Sequence, residues 1–200
     1  WDEGALDLAR RMADAFRVSL HAATTTRLLV DLNRSIGHRQ LFSEVTRALP
    51  RASRESLVDR HYRPHRQAVE ADIARLVASG RRVIHVASHS FTPILGDVPR
   101  RADVAWLYDP RRPGEVAFAR SWMRAVAPLA PDLRLRRNYP YRGRGDGLTA
   151  ALRRRHPDAA YVGIELEVNQ SLVEQPGPWG RLKAVLVDSL KKALAGTSHR

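Results

Sequence analysis

Three short apolar runs, VIHVA at 83–87, ADVAWLY at 102–108 and AYVGIELEV at 160–168, are separated by stretches with helical periodicity. This alternation constrains the fold more than any other feature. Continuous apolar runs of five to nine residues are too short for core helices and suit strands buried on both faces. The spacers between them read as helices. Residues 114–127 put Val116, Ala119, Trp122, Met123 and Val126 on one face, and residues 65–79 do the same with Val69, Ile73, Leu76 and Val77 before Gly80. Residues 4–19 align Leu6, Ala9, Met12, Ala13 and Phe16, TAALRRR gives a short helix, and PGPWGRLKAVLVDSLKKALAG gives a closing one with proline at its start. The segment TTTRLLVDLNR at 24–34 predicts a further buried strand ending near Asp31, and LRLRRNYPY predicts a strand and turn. Residues 35–64, with Pro50 and Pro64 and no long periodicity, predict a loop-rich stretch. The expected fold is α/β, three-layered, with a mixed, mostly parallel sheet and helices on both faces, formed as a single domain over 1–200.

Composition narrows the function classes. No apolar run approaches the ~20 residues of a membrane span, and no basic-then-apolar leader opens the chain, so a cytoplasmic protein is expected. The chain has no cysteine, which excludes disulfides, thiolate metal sites and a cysteine nucleophile. Of 34 Lys and Arg only Lys183, Lys191 and Lys192 are lysine, and the net charge is +13. The basic residues are scattered rather than grouped on one face, so an acidic small-molecule partner is expected and nucleic acid is not.

Four predicted strands end in polar clusters: Asp31-Leu32-Asn33-Arg34, His89-Ser90, Arg137-Asn138-Tyr139-Pro140-Tyr141, and Glu165-Leu166-Glu167-Val168-Asn169. Sites in α/β sheets gather at the carboxyl ends of strands. Gathered at one edge, these clusters would supply an imidazole, carboxylates and guanidinium donors, which is what hydrolysis of an acidic substrate needs. Glu165 and Glu167 share one strand face, where a desolvated carboxyl serves as a base. His89 is either a strand-end histidine bonded to backbone or a metal ligand. His85 shares its face and is expected to pack. Arg34 and Arg137 are candidates to fork onto carboxylates.

The ordered set RLLVDLNRS, HSFTP, RRNYPYRG and GIELEVNQSL, with WDEGALDLARRMA at the start and HYRPHRQAVEADI in the middle, resembles the N-formylglutamate amidohydrolase family, which is related to zinc carboxypeptidases. The resemblance covers most of the chain and implies a zinc-carboxypeptidase-like fold. It also implies a divalent metal, Zn2+ or another, with His89 and Asp2 among its ligands. Glu167 is implied as general base, preferred to Glu165 because Asn169 follows it by two. Asn33 and Arg34 are implied to hold the substrate's carboxylate, with Asn138 and Tyr141 lining the pocket. His61 and His65 fall in a segment similar to one of the family's. The implied reaction is hydrolysis of N-formylglutamate, or a similar N-acyl amino acid, to formate and glutamate, as in histidine breakdown. The resemblance further implies that a family segment upstream of Trp1, carrying an early histidine ligand, is missing here. The alternatives are a non-catalytic binder of acidic ligands on the same fold and a carboxypeptidase-like amidase with another substrate.

Overall fold

The computed structural model describes residues 2–196. In chain order the elements are α1 (Ala5–Phe16), α2 (Glu44–Arg47), α3 (Arg51–Leu57), a π-helical turn (Val58–Tyr62), α4 (Arg63–Ala78), β1 (Val83–Phe91), β2 (Ile94–Leu95), β3 (Val98–Pro99), β4 (Val104–Leu107), α5 (Pro113–Val126), β5 (Leu135–Arg137), α6 (Leu148–Arg155), β6 (Tyr161–Asn169), α7 (Gln170–Val173) and α8 (Pro176–Ala195). The fold is α/β, as the alternation predicts. A four-stranded sheet has the order β1-β6-β4-β5, and β2 and β3 form a separate antiparallel hairpin. The main sheet is mixed: β4 runs parallel to β5 and antiparallel to β6. At the other side, the Val83 N–H donates to the Ala160 carbonyl (2.8 Å), so β1 and β6 begin together.

Contacts divide the chain into two compact units. One comprises His21–Val83 and Gly145–Tyr161; the other comprises Asp2–Leu20, Ile84–Arg144 and the chain from Val162 onward. The second unit holds most of the sheet. Val104, Trp106, Val162, Ile164, Leu166 and Val168 point to one sheet face and pack with Phe118, Trp122, Leu182, Leu186, Leu8 and Met12 from α5, α8 and α1. Alternation of strand side chains puts Glu165 and Glu167 on the other face. In α1 the buried side chains are Ala5, Leu8 and Met12, with Phe16 against them, a face rotated from the expected Leu6–Ala9 line. The Trp122 indole N–H donates to the Ser189 hydroxyl (3.0 Å), satisfying a fully buried donor. In the first unit, Val69 and Ile73 of α4 and Leu148 and Leu152 of α6 pack on Val83 and Tyr161, the first residues of β1 and β6.

Two expectations are corrected in the first unit. TTTRLLVDLNR is not a strand but a series of turns. Val30 alone of LLV is buried, packed with Leu41, Val58 and Tyr62, while Leu28 and Leu29 are 60% and 37% exposed. The run therefore lacks the sheet partner its composition suggested. The stretch 35–64 is largely helical from Arg51 on, because both prolines sit where a helix tolerates them. Pro50 precedes the first turn of α3, and Pro64 lies just past the π turn, at the start of α4. Among the described residues no helix is long and apolar enough to cross a membrane.

Candidate active site

The second unit assembles a polar cluster on the Glu167 face of the sheet. Asp2 is placed by the turn that starts α1. Gly4 holds φ +75°, where a Cβ would meet Val173 Cγ1 at 2.7 Å, and the Ala5 N–H donates to the Asp2 carbonyl (3.2 Å). The turn is tied to β1 by the Ser88 hydroxyl, which donates to the Ala5 carbonyl (2.9 Å). Asp2 Oδ2 then lies 2.7 Å from His89 Nδ1. Burial works against the charge of His89, but the Asp2 bond and the fields of Glu167, Asp2 and Glu165 outweigh it and raise its pKa to about 9.

Glu167 is 5% exposed and its cross-strand partner is Ala105. Its Oε2 is buried with no hydrogen-bond partner. Burial is the main cause of a carboxyl pKa pushed up to about 7; the His89 and Arg100 charges oppose the rise, and Asp2 and Glu165 add to it. Glu165 faces the same way, opposite Leu107 and further from the strand's carboxyl end.

The Asn that follows Glu167 by two is structural. Asn169 Nδ2 donates to the carbonyls of Arg100 (3.2 Å) and Ala102 (2.9 Å), and its Oδ1 accepts the Ser171 N–H (3.1 Å). It thereby fixes Arg100, a residue for which the sequence carried no signal beyond one arginine among many. The guanidinium carbon of Arg100 stands 5.9 Å from the Phe91 ring centre and 5.3 Å from that of Tyr141. Gln170 Nε2 donates to the Ser90 hydroxyl (3.1 Å), joining the end of β6 to the end of β1.

Tyr141, 47% exposed, is thus brought to Arg100. Asn138 instead organises its own loop at φ +50°, its Oδ1 accepting the N–H groups of Tyr108 (3.1 Å) and Gly143 (3.0 Å). Arg137 is in register with Trp106, on the face opposite Glu167, and Arg136 takes the Glu167 face through its register with Ala105. Both arginines are exposed.

Asn33 and Arg34 belong to the first unit and form a knot there. Asp31 accepts the Asn33 N–H (3.0 Å) and Arg27 Nη2 (3.0 Å). Asn33 Oδ1 accepts the first N–H of α6, from Leu148 (2.8 Å), and Arg34 Nη1 donates to the Asp146 carbonyl (2.9 Å). The Tyr62 hydroxyl donates to the Arg34 carbonyl (2.8 Å). His61 lies 3.5 Å from the Thr25 hydroxyl, and burial lowers the His65 pKa.

The family profile described as N-formylglutamate amidohydrolase matches residues 1–174. The chain belongs to the N-formylglutamate amidohydrolase family. Among solved structures it is similar to a gene product of Agrobacterium tumefaciens, at 28% identity and TM-score 0.84, covering 100% of this chain and 79% of that one. It is also similar in fold to N-formylglutamate amidohydrolase from Ralstonia eutropha, at 18% identity and TM-score 0.64, covering 98% and 84%. No curated protein matches.

The family resemblance implies a metal, and the donor set can be tested. A catalytic zinc site takes three protein ligands and keeps a fourth position open. Among the described residues no group of three or more His, Asp or Glu side chains could hold a metal ion. The His89–Asp2 pair is one donor short, so the described residues do not make up a complete site by themselves. The Nδ1 bond to Asp2 orients the ring and leaves Nε2 as the nitrogen available to another partner.

Proposed function

We propose that this chain hydrolyses the formyl amide of N-formylglutamate, or a similar N-acyl amino acid, with Glu167 as general base. The observation that carries the reading is the buried Glu167 Oε2. It lacks any hydrogen-bond partner, on the sheet face that also presents the His89–Asp2 pair. An unpartnered buried carboxylate oxygen is costly to keep in a merely structural role. It is suited to accept a proton from a water and deliver it to the departing amine nitrogen. His89, held by Asp2, would orient the water or the acyl oxygen. His89 and Asp2 are also the proposed donors to a divalent metal, Zn2+ in the first instance. When bound, such an ion supplies Lewis-acid polarisation, and no step above depends on it.

The test is formate release from N-formylglutamate by protein supplied with Zn2+, together with metal analysis of the purified protein. Turnover is expected, with loss in Glu167→Gln and loss of metal in His89→Ala. Undiminished turnover in either variant would sink the assigned roles. The short donor set favours one second reading, a binder of acidic ligands without turnover. Ligand binding with no formate release at any metal loading would establish it.

A further inference from the structure

Several arginines of the second unit have acidic partners. Arg134 forks onto Asp103 with a shortest contact of 2.7 Å, Arg111 pairs with Asp109 at 2.8 Å, and Arg112 pairs with Glu115 at 3.1 Å. Arg100 does not. It is 8% exposed, more buried than any of the arginines in these pairs, yet no carboxylate lies within ion-pair distance of it among the described residues. Its side chain makes one hydrogen bond, from Nη1 to the Tyr141 hydroxyl at 3.3 Å. A guanidinium carries five N–H donors in a fixed fork. Removing it from water without an anion is unfavourable, and the rings of Phe91 and Tyr141 offset only part of that.

The position is also held from both sides. The Arg100 N–H donates to the Pro93 carbonyl (2.7 Å), and its carbonyl accepts from Asn169 Nδ2 (3.2 Å), two residues beyond Glu167. An unpaired, buried and rigidly mounted guanidinium is a prepared anion receptor. The aromatic walls and the planar fork match a carboxylate.

We infer that Arg100 is a specificity residue that binds the α-carboxylate of the N-acyl amino acid. The choice of the α-carboxylate follows from proximity. Arg100 is near enough to Glu167 to act on it electrostatically. Glu167 must reach the amide nitrogen for proton transfer, and the α-carboxylate is attached to the carbon that bears that nitrogen. This inference rests on the hydrolase reading given above.

The experiment compares N-formylglutamate with its α-amide in the wild type, Arg100→Gln and Arg100→Lys, and in parallel measures binding of free glutamate and glutamate α-amide by calorimetry. Wild type is expected to prefer the acid in both assays. Arg100→Gln is expected to lose that preference by roughly 30-fold, mainly through KM, with Arg100→Lys intermediate. A preference unchanged in Arg100→Gln would overturn the inference. So would a fall in kcat at constant KM, which would mark Arg100 as acting on the transition state instead. The binding arm separates the two layers. Arg100-dependent preference without turnover in any protein defeats the hydrolase reading and upholds the inference; turnover with Arg100-independent preference does the reverse. Tyr141→Phe provides the control for folding. It removes only the exposed hydroxyl partner of Arg100 and is expected to weaken the preference several-fold without unfolding the chain.

Discussion

Glu167→Gln is expected to abolish turnover and to stabilise the fold, and the size of the stabilisation follows from the structure. The Glu167 carboxyl has its pKa raised from an ordinary 4.5 to about 7, chiefly by burial. The native state therefore keeps a proton that the unfolded chain gives up near 4.5. Stability falls as pH rises between these values, and above both the loss levels off at about 3 kcal/mol. Glutamine removes the ionisation but leaves an amide where Oε2 has no partner, which returns about 1 kcal/mol. The net gain at pH 8 is about 2 kcal/mol, or about 4–8 °C in Tm for a chain of this length. Thermal melts of chelator-treated wild type and variant from pH 4 to pH 8 check this, alongside formate release. The gap should shrink as pH falls and reverse near pH 4, where the native state and most of the unfolded chain hold the proton and only the glutamine penalty of about 1 kcal/mol remains. A variant no more stable than wild type at pH 8 would refute the reasoning, as would a gap independent of pH. Either would mean that the carboxyl is not strained by its burial.

Other perturbations read the scaffold. Asn138→Ala should lower stability by about 2–4 kcal/mol, since Oδ1 serves two backbone N–H groups, seen as a lower urea midpoint at constant m. Gly143→Ala should fail to accumulate as soluble protein, because its Cβ would fall 2.1 Å from the Tyr108 nitrogen, which is backbone and cannot yield. Asp103 is pushed upward by burial, but its bonds from Arg134 outweigh this and hold its pKa below the ordinary 3.8, so its contribution is present above that value and lost as pH falls below it. Asp103→Asn should therefore reduce stability at pH 7 and flatten the acid limb of a Tm-against-pH curve.

Where one physical signal dominated, the sequence was legible. The three apolar runs became β1, β4 and β6, the last two within two residues at each end and β1 running four residues further to Phe91, because a buried strand needs both faces apolar and few other elements do. The departure from that rule in β6, two glutamates alternating into an apolar run, is what exposed the catalytic candidate. The runs that failed did so for equally specific reasons. LLV at 28–30 has strand composition but only Val30 finds a core, and prolines at 50 and 64 look like breakers yet sit at helix positions that need no N–H.

The strand-end motifs were visible as polar clusters, but sequence cannot show which of their atoms are already used. Asn33 and Asn138 look like donors and acceptors waiting for a ligand. In the structure their carbonyl oxygens are bound to backbone N–H groups of Leu148, Tyr108 and Gly143. Arg100 is the converse. Nothing in VPRRAD separates it from its exposed neighbour Arg101, and it is the burial and the shortage of partners, both three-dimensional facts, that give it a role. Asn169 connects the two cases. Its spacing from Glu167 supported the choice of base, and the reason for the spacing is mechanical: residues two apart on a strand share a face, so the side chain that grips the Arg100 carbonyl lies beside the carboxyl that Arg100 influences. A substitution at Asn169 should therefore perturb Arg100 and Glu167 together.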